Sequence, residues 1–163
     1  MNSSFGKQAG NRQQGAALVE FAVILPVLVM LAFGITELGR LLFHNTMLNK
    51  AAAVGARYVA RVPDAVTPDC GQGGEWGDAT TEGENLIAYT DAGDGSLMLS
   101  GLDDSGAITF SIISRTVNST TVCVVNVAVV TPFDGLFGDS IVPLLDLGPI
   151  NLRATVEERY IGE

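Results

Sequence analysis

GAALVEFAVILPVLVMLAFGIT, residues 15–36, decides the architecture. A glycine opens a long apolar run, and a single carboxylate, Glu20, interrupts it five residues later. From Ala16 to Thr36 the run is long enough to cross about 30 Å of hydrocarbon as a helix. From Phe21 to Ile35 it carries no charge at all. The later apolar runs Val122–Val130 and Ile141–Ile150 are too short and contain Asn126 or Asp146, so one membrane span is expected. A plain anchor gains nothing from Glu20, because a carboxylate near hydrocarbon costs a few kcal/mol. The run is also longer than the core of a secretory signal, and Glu37-Leu38-Gly39-Arg40 after it does not resemble a small-residue cleavage site.

Charge divides the 163-residue chain in two. Residues 1–62 hold Lys7, Arg12, Arg40, Lys50, Arg57 and Arg61 against only Glu20 and Glu37. Residues 63–163 hold Arg115, Arg153 and Arg159 against every other acid, and the whole has a net charge of −9. An acidic body argues against nucleic-acid binding and suits a soluble domain outside the cytoplasm. Four segments follow: a leader over 1–15, a transmembrane helix over 16–37, its extension over 38–62 and an acidic body over 63–163. The leader, MNSSFGKQAGNRQQG, has no core-forming pattern and reads as flexible. Its basic residues favour retention on the cytoplasmic side, although Arg40 and Lys50 beyond the span nearly balance the count.

Cleavage between Gly15 and Ala16 would give Glu20 a purpose. The small glycine lets a membrane protease approach the backbone closely. The new amine on Ala16 then lies one helical turn from the Glu20 carboxylate. In low dielectric the two charges offset the cost of burying either alone, whether within one chain or between neighbouring helices. Pro26 removes one helix hydrogen bond and marks a bend, which membrane helices tolerate.

Beyond the span, Leu38, Leu41, Leu42, Leu48, Ala52, Gly55 and Val59 recur at helical steps up to Pro63, with a small-residue face at Ala51–Ala53, Gly55 and Ala56. A Gly-, Pro- and Asp-rich loop follows over 63–79. Residues 80–89 read as a short helix capped by Thr80 or Thr81. Strands are expected over 108–117, 121–130 and 149–160, the first two joined by a hairpin at Asn118-Ser119-Thr120. The strand at Val122–Val130 is apolar on both faces and so should be central. The connection over 133–147 is long enough for a short helix covering the sheet. The fold class is therefore α+β: a long N-terminal transmembrane helix extending into a small domain with a three- to four-stranded antiparallel sheet. Cys70 and Cys123 either bridge in an oxidising compartment or remain a loop thiol and a strand thiol, and spacing alone leaves both open.

Residues 15–61 closely resemble the TadE-like proteins of the tight adherence (Flp type IV) pilus system. The family pattern is carried here by Gly15, Glu20, Phe21 and Pro26, then Phe33, Gly34, Glu37, Gly39 and Arg40, then Gly55, Ala56, Arg57 and Tyr58. The resemblance implies a minor pilin or pseudopilin with a pilin-like fold. It also implies cleavage after Gly15 by a membrane prepilin peptidase, with Glu20 and Phe21 serving assembly. The implied partners are the major Flp pilin, a sister pseudopilin and the inner-membrane assembly platform with its ATPase. The implied role is pilus biogenesis, adherence and biofilm formation. The implied topology is a single-pass inner-membrane protein with a cytoplasmic N-terminus and a periplasmic body. The alternative is a permanently anchored periplasmic scaffold or binding domain that keeps its leader. No cofactor is implied. The single histidine, His44, and the lack of a nucleophile motif, phosphate loop or metal-spaced Cys/His cluster point away from an enzyme. The acidic turns Asp91–Gly95 and Asp103–Gly106 match no full calcium loop.

Overall fold

The computed structural model describes residues 9–89, 96–136 and 150–162. A single helix, α1 (Ala9–Val59), runs for 51 residues, about 77 Å at 1.5 Å per residue. It passes through Pro26 and through the junction of stem and body without a break. It begins within the leader, where Ala9–Gln14 are helical. A helix established in the apolar run extends upstream cheaply, because each added residue gains a hydrogen bond while the nucleation cost is already met. Its end also falls earlier than expected, at Val59. Val62, preceding Pro63, is disfavoured in the helical region, and the chain turns away through Asp64 at φ 57°.

The second helix, α2 (Trp76–Ala88), begins four residues before Thr80 and five before Thr81, the two expected caps. Glu75 occupies the N-cap position. The hydroxyls of Thr80 and Thr81 instead donate back to the carbonyls of Trp76 and Gly77, at 2.9 and 2.8 Å. A threonine inside a helix has this option, so the residue type alone does not mark a start.

Three strands follow, β1 (Ile108–Val117), β2 (Thr120–Pro132) and β3 (Asn151–Arg159), in the antiparallel order β1-β2-β3. The apolar strand is central, as its composition requires. The hairpin loop is two residues, Asn118 and Ser119, both at positive φ (49° and 65°). That is the backbone of a type I′ turn, whose twist matches the flanking strands. The 137–147 part of the proposed covering connection, like Asp91–Gly95, lies outside the described residues.

Register sets which face is buried. Val125, Val127, Val129 and Thr131 of β2 align with Ile112, Phe110 and Ile108 of β1 and with Val156, Ala154 and Leu152 of β3. This face packs with α1 and α2 to form the core, which includes Leu48, Ala52, Ala56, Val59, Trp76 and Ile87. The other face mixes valines of β2 with polar groups of the flanking strands. Asn126 donates to Ser111, and Arg115 reaches over β2 to Glu157 at 2.7 Å. The small-residue edge of α1 lets α2 approach closely: a Cβ on Gly55 would lie 2.6 Å from Ile87 and 3.0 Å from the Gly83 carbonyl.

Two further ties close the body onto the helix end. A disulfide joins Cys70, in the loop after α1, to Cys123 on β2 across 53 residues of sequence. After β3, the backbone N–H groups of Ile161 and Gly162 donate to the Ala60 carbonyl, and the Tyr160 hydroxyl donates to the Val62 carbonyl at 2.9 Å.

Candidate functional site

The stem is the part of α1 that the body leaves bare. From Gly15 to Met30 every side chain is exposed, and the apolar window of the helix has none of its area buried. Among the described residues, this is the one helix long and apolar enough to cross a membrane.

Gly15 and Ala16 lie within continuous helix, and nothing comes within 4 Å of where a Gly15 side chain would begin. Glu20 and Phe21 project from the stem, and Glu20 has no hydrogen-bond or ion-pair partner among the described residues. Ala16 and Glu20 are four residues apart on unbroken helix, so they share a face one turn apart. Pro26 lies between them and the body, at a point where the helix is bare on all sides. Cys70 and Cys123 are far along the chain from this group and lock the body.

The stem meets the body at Glu37. This residue has no solvent exposure, although the stem residues before it and its neighbours Leu38 and Gly39 are open. Its Oε1 accepts the backbone N–H of Leu136 at 2.6 Å, and its Oε2 faces Arg40 Nη1 at 3.4 Å. A buried carboxylate demands such partners, since an unpaired one would have to shed its charge or leave the interior. Two turns on, the His44 ring meets Phe133 edge-on at 5.7 Å between centroids. Together these contacts fasten the segment leaving β2 onto α1 at the top of the stem. In the sequence, Glu37 stands out only as one member of a pattern. The signals present were a charge at the end of an apolar run and an arginine three residues on, but its partner is 99 residues away.

Residues 15–57 match the family model for TadE-like protein. The match is consistent with a TadE-like protein of the Tad pilus system, the resemblance carried by Gly15, Glu20, Pro26, Glu37 and Arg40. The TadE-like segment coincides with the bare stem, the Glu37 junction and the helix edge that packs on the body. It stops before the acidic domain. Comparison with curated proteins and with solved structures finds no match. Among the described residues no group of acids, histidines or cysteines is arranged to hold a metal ion.

Proposed function

We propose that this protein is a minor pilin or pseudopilin that takes part in assembling a tight adherence pilus, matured by cleavage between Gly15 and Ala16. The observation that carries the reading is a bare apolar helix with a lone carboxylate one turn beyond Ala16, within the TadE-like segment. Cleavage would place a cationic amine at Ala16 beside Glu20, and a carboxylate that costs free energy in lipid becomes half of an ion pair. Paired within the chain or with a neighbouring stem, it registers helices side by side, with Phe21 beside it. Because Gly15 lies in helix, the peptidase must first unwind the bond it cuts. Glycine leaves a helix at about 1 kcal/mol less cost than alanine.

The stem then crosses the inner membrane once, leader in the cytoplasm and acidic body in the periplasm. The partners are the prepilin peptidase, the major Flp pilin, a sister pseudopilin and the assembly platform. The expected contribution is to pilus biogenesis and hence to adherence and biofilm. The body has no part in catalysis on this reading.

Intact mass of the full chain, expressed with and without a prepilin peptidase, tests it. Loss of residues 1–15 only when the peptidase is present supports the reading, and a bulky residue in place of Gly15 should slow that loss. A mature protein that keeps Met1–Gly15 in peptidase-positive cells identifies instead a permanently anchored scaffold.

A further inference from the structure

The two signs of charge are displayed on different surface patches. One edge of α1 packs into the body through Leu48, Ala52, Ala56 and Val59. The opposite edge presents Phe43, Lys50, Val54 and Arg57, all exposed at helical steps, and Arg61 stands exposed in the turn just after the helix. This ridge contains no acid, and none of its three cations has an ion-pair partner among the described residues. Phe43 and Val54 are 62% and 51% exposed, which makes the ridge apolar as well as basic.

A complementary surface lies elsewhere on the same body. Between the end of α2 and the turn leading into β1 runs an open groove of about 340 Å³. Glu84, Asp103 and Asp104 stand exposed on its rim, the core residues Ala88, Leu102 and Ile108 lie buried beneath it, and no cation lines it.

We propose that the basic ridge of one copy docks into the acidic groove of a second copy. The proposal stands apart from cleavage at Gly15. A row of positive charges fits a groove rimmed by negative ones, which steers the encounter and sets its register. A membrane surface is the poorer occupant. Lys50 and Arg57 lie about 20 and 30 Å of helix beyond Glu37, whereas headgroup charge is screened within about 8–10 Å at physiological salt. Ridge and groove are different patches, so the contact is heterologous and repeats from copy to copy as a ring or a filament.

The test uses the full chain in detergent, with unlabelled and heavy-isotope copies mixed and coupled by a zero-length carbodiimide. Mass spectrometry should find Lys50 joined to Glu84, Asp103 or Asp104 across copies, with a yield falling several-fold as salt rises from about 0.05 to 0.5 M. Arg57→Glu with Arg61→Glu, which leaves Lys50 in place, should cut that yield about tenfold. Adding Asp103→Arg and Asp104→Arg should restore it to within about threefold, with Glu84 left to couple. Coupling that ignores the reversal, or a reversal that no compensating change restores, overturns the proposal. So does a reversed chain that only loses binding to phosphatidylglycerol vesicles, which would assign the ridge to lipid.

Discussion

Glu37 shows how one side chain can join a bare apolar stem to a packed body. Its backbone belongs to the helix that leaves the apolar stem, while its carboxylate is enclosed by the body and holds Leu136. Replacing it with alanine leaves that N–H and Arg40 without their acceptor. Hydrogen bonds to charged groups contribute about 1.5–3 kcal/mol, so Glu37→Ala should lower unfolding stability by about that much. Glu37→Gln keeps an acceptor and should cost roughly half as much. Thermal unfolding in detergent measures both, and amide exchange at Leu136 should quicken in the alanine variant while the hairpin amides keep their protection. Glu20 was legible from its position alone, since a lone acid in an apolar run needs a reason. The role of Glu37 was not, because what it binds is a backbone group brought near only by the complete fold.

At the scale of elements, local chemistry carried most of the strands and part of the helices. Asn118 and Ser119 lie between two strongly β-forming runs, and residues tolerant of positive φ at that point leave a two-residue turn as the natural connection. The start of α2 was misread because threonines that bond back within a helix look, in sequence, like threonines that cap one. Gly55 illustrates the limit of propensity. Alanine is the better helix former by about 1 kcal/mol, yet a methyl group there would press on Ile87 and on the Gly83 carbonyl. Overpacking costs about 1–3 kcal/mol, so Gly55→Ala should be net destabilising. A lower melting temperature, with helix content by circular dichroism unchanged before the transition, is the expected result, and a higher one would mean that α2 simply moves away.

For the whole molecule, the division between a bare apolar stem and an acidic body was legible from charge and hydropathy, because both are sums over many residues. Which loop meets which strand was not, and the Cys70–Cys123 bond is the clearest case. Closing a loop of this size restricts the unfolded chain by about 4 kcal/mol. Reducing agent, or Cys70→Ser with Cys123→Ser, should therefore lower stability by about 2–4 kcal/mol. The melting temperature in matched oxidised and reduced samples measures it, and equal values would mean that the loop after α1 is held by its other contacts.

That same bond has a mechanical side. A pull applied to the central strand reaches the stem through sulfur and the few residues separating Cys70 from Val59. The covalent path through Gly71–Val122 is bypassed, so the backbone of α2 and of the first strand is not in series with the tension. With the last strand stitched to the end of α1 by Tyr160, Ile161 and Gly162, the body resists traction as a buckle does, at the point where the strap enters it.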